Sequence, residues 1–209
     1  AVTVGQIFYL DNDDDQMTGP QSPMWPGENQ NNSSAIVGEL TTSLSPAWQS
    51  AVSMNWNPHQ KQLTEGHWQL AYRGQEKTSN ILNMGYHYRR ANQQTTLLDQ
   101  TIEQADLSFV KALNPRWSVI GRYQYDTVQK RSNEALAGLA YNNCCIRWQV
   151  VYRDALVHRY DAQQQRRDRS VFLQIELKGL FGIGSKVDTI LSESINGYQS
   201  NDWQNSFYD

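Results

Sequence analysis

Cysteine is nearly absent from this chain. The only two, Cys144 and Cys145, stand side by side in YNNCCIRW (141–148). A disulfide between neighbours closes a strained eight-membered ring, far from the relaxed geometry. In a strand, adjacent side chains also point to opposite faces. If these thiols are oxidised, their partners lie on another polypeptide or on a segment missing from this one. Long apolar runs are absent too. Mean hydropathy is -0.69, and no stretch approaches the roughly eighteen apolar residues of a spanning helix. Positive charge is not in excess: the net charge is -3, which lacks the basic footprint of a nucleic-acid binder, so no nucleic-acid partner is expected. No GxSxG, HExxH, P-loop or CxxC pattern occurs, so no enzymatic activity, cofactor or metal is expected. No basic and apolar leader opens the sequence, and any signal peptide is expected to have been removed or to lie upstream. Phenylalanine and methionine are scarce, at five and four, yet there are seven Trp and eleven Tyr.

What is present is alternation with a period of two, and helical spacing is almost missing before the last thirty or so residues. In WQSAVSMNW, Trp48, Val52, Met54 and Trp56 share one face and Gln49, Ala51, Ser53 and Asn55 the other. Trp68, Leu70 and Tyr72 oppose His67, Gln69 and Arg73; Leu82, Met84, Tyr86 and Tyr88 oppose Asn83, His87 and Arg89. Trp117, Val119, Tyr123 and Tyr125 oppose Ser118, Arg122, Gln124 and Asp126, and Ile146, Trp148, Val150 and Tyr152 oppose Arg147, Gln149 and Arg153. Val171, Leu173, Ile175 and Leu177 oppose Gln174, Glu176 and Lys178. The pattern predicts about ten strands, near 1–10, 34–44, 48–57, 66–74, 80–90, 101–112, 117–126, 134–142, 146–154 and 169–180.

Such strands suit a soluble antiparallel sandwich, with one face in a core and one in water. Two features favour an all-β, antiparallel transmembrane β-barrel portion. The apolar faces end in Trp or Tyr, as girdles at two membrane interfaces require. The connections also alternate: 45–47, 74–79, 113–116 and 142–145 are short, whereas those after 10, 57, 90, 126 and 154 are longer and polar. In an outer-membrane barrel the short turns lie in the periplasm and the long loops outside. Cys144 and Cys145 then occupy a periplasmic turn, in a compartment where disulfides persist. A charge placed at Leu173 or Val150 should cost far more than one at Gln174 or Gln149.

The segments VGQIFYL, RWSVIGRYQYD, GLAYNNCC, FLQIELKGL and GIGSK…ILSESINGYQ resemble, in that order, the C-terminal half of the LPS-assembly protein LptD family. The vicinal Cys pair in a barrel turn is the most specific element of the likeness, and the acidic stretch at 11–33 is the least matched. The resemblance implies a barrel of about twenty-six strands, at the upper end of the common range, of which residues 1–180 would supply the last ten or so. Residues 181–209 would be a short periplasmic C-terminal tail. It implies that Cys144 and Cys145 form disulfides to upstream cysteines, tying the barrel to an N-terminal jellyroll domain. Its implied partners are the lipoprotein LptE in the barrel lumen, the N-terminal strands and jellyroll of the same protein, lipopolysaccharide, the periplasmic LPS bridge proteins, and the barrel-assembly machinery during folding. Its implied function is lipopolysaccharide insertion into the outer leaflet of the cell outer membrane through a lateral seam. The strand carrying Val171, Phe172, Leu173, Gln174, Ile175, Glu176, Leu177 and Lys178 would form one side of that gate.

Arg73, Arg89, Arg122, Arg147 and Arg153 share the polar face and would be lumen-facing, either lining a path for phosphorylated lipid or simply tolerated by a wet interior. Asp11, Asp13, Asp14 and Asp15 lack the glycine and terminal glutamate of an EF-hand and read as a solvated acidic loop. His67 and His87 should face each other across a hairpin, without an evident third metal ligand. Val187, Ile190, Leu191 and Ile195 recur at helical spacing and predict a short amphipathic helix on the periplasmic side, with Gly182 and Gly184 breaking the strand before it. Two rival readings are a complete ten-stranded outer-membrane enzyme, for which His87 and Asp126 are the only rough candidates, and a soluble sandwich binding module.

Overall fold

The computed structural model describes residues 1–6, 35–58, 60–74, 80–91, 101–158, 165–178, 180–184 and 187–199. The acidic loop, the 75–79 turn, residues 7–10 of the first expected strand and the end of the tail lie outside these residues. Eleven strands follow one another: Val2–Gly5 (β1), Ile36–Ser45 (β2), Trp48–Asn57 (β3), Gln62–Arg73 (β4), Ile81–Arg89 (β5), Ile102–Ala112 (β6), Trp117–Asp126 (β7), Arg131–Asn142 (β8), Ile146–His158 (β9), Gln165–Leu177 (β10) and Phe181–Gly184 (β11). One helix, Val187–Ser194 (α1), comes after them. Each strand pairs antiparallel with the next in a single sheet ordered β1 to β11. A sandwich needs two packed sheets, so that reading is set aside for the described residues.

The register carries the predicted alternation through the whole sheet. Trp48 pairs with Tyr72, which pairs with Leu82, and Trp117 pairs with Tyr141, which pairs with Trp148. This face therefore holds every apolar row named above, and it stays open: Met54, Trp68, Met84, Leu107, Tyr123, Tyr152, Val171 and Leu173 are all exposed large side chains. Near the short turns it carries Trp117 against Tyr141 with ring centroids 4.9 Å apart, Trp117 edge-on to Trp148 at 5.4 Å, and Trp48 against Tyr72 at 4.9 Å. Toward the other end Tyr123 stacks on Tyr125 at 6.3 Å. Two aromatic bands thus bracket an aliphatic zone on one face.

Three differences from the sequence pattern have physical causes. First, β4 and β8 start at Gln62 and Arg131, so the connections after β3 and β7 are four-residue turns where longer polar loops were expected. Polar residues there break the alternation of hydrophobicity while the backbone ladder continues. Lys61 and Lys130 close these turns at φ 51° and 50°, in the left-handed region that few non-glycine residues adopt. Second, the chain does not leave the sheet at residue 180. Gly182 and Gly184 lie in β11, which folds back to pair Phe181 with Leu177 and Gly184 with Gln174. Third, the polar face is not polar throughout. Ile81, Val110, Ile120, Leu136, Ala140 and Val151 form a buried cluster on it with Val187, Leu191, Ile195 and Tyr198. The predicted helix is present, and its apolar side is used against this face.

Candidate functional site

The polar face is organised by charge pairs that run from strand to strand. Asp106 Oδ2 accepts from Arg122 Nε at 3.0 Å, and Arg122 Nη1 lies 3.0 Å from Glu134 Oε2. Glu134 Oε1 in turn accepts from Arg153 Nε. Four neighbouring strands, β6 to β9, are stitched by one alternating ladder. Arg147, buried on the same face, reaches Glu176 Oε2 at 3.5 Å and Asp188 Oδ1 at 2.6 Å. Arg73 donates to Asn83 Oδ1 at 2.9 Å and to the Asn196 carbonyl at 2.8 Å. Arg89 is exposed near the long-loop end, opposite Glu65 in the register. Arg122, Arg147 and Arg153 are therefore each paired with carboxylates on this face.

The segment after β11 supplies groups that sequence reasoning missed. The Asp188 carboxylate collects four donors: Arg147 Nη2 at 2.6 Å, Gln149 Nε2 at 3.2 Å, Gln174 Nε2 at 3.0 Å and the Tyr198 hydroxyl at 2.9 Å. The first N–H groups of a helix have no partner within it; here Gln174 Oε1 accepts from Val187 N at 2.8 Å and Asp188 N at 3.3 Å. At the other end, the Asn196 carbonyl accepts from Arg73 and, at 3.1 Å, from Asn83 Nδ2. Gly197 follows with φ +79°, and a Cβ there would meet the Arg73 guanidinium at 2.4–2.7 Å. Burial, then the neighbouring Asp188 charge, pushes the Tyr198 hydroxyl well above its ordinary pKa. The sequence did offer one signal: glycine just past a helical run is a common C-terminal stop. One expectation is corrected here. Gln149 is 1% exposed and tied to Asp188 and Tyr198, so an Arg at 149 would not sit freely in a wet interior.

The cysteines occupy the turn between β8 and β9. Asn143 builds that turn: its Oδ1 accepts from Cys145 N at 2.9 Å and Ile146 N at 2.7 Å, a side chain standing in for a backbone turn. Both thiols are exposed and free in the described chain, with Sγ atoms 2.7 Å apart. The hydrogen bond with Cys144 raises the Cys145 pKa. Lys178 N, at the end of β10, donates to the Cys145 carbonyl at 2.9 Å, which holds the turn against the foot of that strand.

Of the residues expected to border a gate, Val171–Leu177 lie in β10, and Lys178 is in the turn that follows it. A single final strand open along one side was expected. Instead, Gln174–Leu177 are paired on that side by β11. From Gln165 to Leu173, no strand pairs there among the described residues.

His67 and His87 do face each other in the register, with ring centroids 6.0 Å apart. They line a cavity of about 570 Å³ with Gln69, Asp106 and Arg122, and the end of α1 forms its far wall. Among the described residues, no group of three His, Cys, Asp or Glu is placed to hold a metal. Asp126 caps the turn after β7, accepting from Gln129 N at 2.8 Å, and β6 separates its strand from that of His87. As the sequence order implies, His87 and Asp126 are not neighbours: Gln104 of β6 stands between them in the register.

Comparison with known proteins agrees with this architecture. The family model described as LPS transport system D, LptD, matches residues 1–117. The chain is 29% identical over 214 residues to the LPS-assembly protein LptD of Saccharophagus degradans, covering 98% of this chain and 24% of that relative. It is 35% identical over 170 residues to the LptD of Pseudomonas aeruginosa strain LESB58, covering 75% and 18%. It is 30% identical over 242 residues to the LptD of Ectopseudomonas mendocina, covering 97% and 25%. The chain thus spans about a quarter or less of the length of these relatives. It is a member of the LptD family of LPS-assembly proteins.

Proposed function

We propose that this chain is a C-terminal wall of an outer-membrane β-barrel that delivers lipopolysaccharide to the outer leaflet, with no chemistry of its own. One observation carries the reading. A single sheet presents an exposed apolar face banded by aromatics on one side and a charge-laddered face on the other, with open edges at β1 and at β10–β11. The apolar face suits lipid. From Trp117 to Tyr125 the chain covers nine residues, the length a tilted strand needs to cross a bilayer. The polar face suits a lumen that shelters sugar and receives a partner such as the lipoprotein LptE. The short turns then lie in the periplasm, where bridge proteins hand over lipopolysaccharide. In this reading Cys144 and Cys145, exposed in the β8–β9 turn, bond upstream cysteines of the N-terminal jellyroll, and the strands are inserted by the barrel-assembly machinery.

The remaining sheet edge is the lateral seam. Each unpaired backbone group in hydrocarbon costs several kcal/mol, so a passage through the wall belongs where pairing is already incomplete. In β10 that is the stretch from Gln165 to Leu173, above the part closed by β11. The test is a cysteine at Ser170 crosslinked to one on the first strand of the full-length protein. The locked protein should fold and bind its partners but stop surface delivery of lipopolysaccharide, whereas each single-cysteine variant should deliver it normally. Delivery at the normal rate in the locked state would place the exit elsewhere.

A further inference from the structure

The segment from Val187 to Tyr198 does more than end the chain. Its first turn is held by β9 and β10, through Arg147, Gln149 and Gln174 on Asp188, and its end is held by β4 and β5, through Arg73 and Asn83 on the Asn196 carbonyl. Between these anchors Val187, Leu191 and Ile195 sit fully buried on the cluster formed by β5 to β9. From Asp188 to Asn196 the backbone covers roughly 12 Å at the helical rise, because Ile195 N still bonds the Leu191 carbonyl at 2.8 Å and the chain turns at 196–197. On a flat sheet, β4 and β10 would stand about 29 Å apart at the usual strand spacing. With the reach of the Arg73, Gln174 and Asp188 side chains added, the segment bridges the polar face from β10 to β4 and grips both.

We propose that residues 187–198 act as a latch. It engages only when strands β4 to β10 are in place, ties β4 and β5 to β9 and β10, and covers the polar face at the short-turn end. Its two ends are coupled, so loss of either grip releases the whole segment. The proposal does not depend on what passes over that face or on where the seam lies. Gly197 belongs to the far grip: its left-handed φ and the guanidinium against its missing side chain leave no room for a Cβ. Three of the four Asp188 partners lie on β9 and β10, and the fourth, Tyr198 beside Gly197, joins the far end to the near one.

Hydrogen exchange followed by mass spectrometry on the full-length protein in detergent tests this. In the unaltered protein, amides across 187–198 should exchange about a hundredfold or more slower than in the free peptide, as expected of a docked segment. Gly197→Val should speed exchange tenfold or more, not only at Ile195 and Tyr198 but also at Val187 and Asp188. Asp188→Ala should do the same in the opposite direction. The β5–β6 ladder should stay protected in both variants, showing that the wall has folded. Peptide-like exchange of the segment in the unaltered protein would overturn the latch. So would an effect in either variant confined to the substituted end.

Discussion

At the scale of single residues, facing decides what a substitution costs. Leu173 is 49% exposed on the apolar face and Val150 lies beside it in the register. An Arg at either should destabilise the inserted protein by about 2–4 kcal/mol near the membrane midplane. Thr41, exposed on the polar face of β2, should accept Arg within about 0.5 kcal/mol, as ordinary surface positions do. Gln149, on the same polar face, should not: Arg there displaces a buried amide hydrogen-bonded to Asp188 and Tyr198. Urea-driven unfolding into and out of vesicles measures the cost at each position. Equal cost at Leu173 and Thr41 would overturn the lipid-facing assignment. Alternation alone told Leu173 from Gln174, but it could not tell Gln149 from Thr41. Both are polar residues on the polar face, and only the covering segment separates them.

At the scale of elements, the strands were largely legible because a half-buried strand repeats every two residues and the register amplifies that repeat across neighbours. Strand ends were less so, since Gln62 and Arg131 continue the ladder after hydrophobicity has stopped alternating. The four-residue β11 is too short to show a period, and its two glycines read as breakers. The helix was visible in the spacing of Val187, Leu191 and Ile195, but its docking place was not, because Ile120 and Val151 look like single exceptions within polar rows. The docked helix has a pH signature. Tyr198 is held protonated by burial and by the Asp188 charge, so its folded pKa is raised above the unfolded value of about 10. The associated stability is complete below that pH and is lost as pH climbs beyond it. Protease access to 187–198 should therefore rise on going from pH 8 to about 11.5. Tyr198→Phe should flatten that rise, and an unchanged profile would remove the hydroxyl from the docking energetics.

At the scale of the whole molecule, the sheet of described residues ends in two edges with no further strand. β1 pairs only with β2, and beyond β11 there is no further strand among the described residues. Unpaired strand edges template association with other chains. Refolded alone in detergent, the 209-residue chain should run as oligomers or aggregates in size-exclusion chromatography. A sharp monomeric peak with heat-modifiable gel migration would mean that these strands close on themselves, and the larger-barrel reading would fail.

The foot of β10 is fastened three times over within a few residues. Lys178 N bonds the Cys145 carbonyl, Arg147 grips Glu176, and β11 pairs Gln174–Leu177. The same strand rises from there to Gln165 with no strand on its outer side among the described residues. The seam proposed at this edge would part as a wedge, widest at the long loops and closed at the base. Opening a wedge breaks the ladder one backbone pair at a time from the top, whereas a parallel slot would break every pair at once. The width of any opening is then graded by how far the unzipping has run, and it comes to rest against the turn that carries the two cysteines.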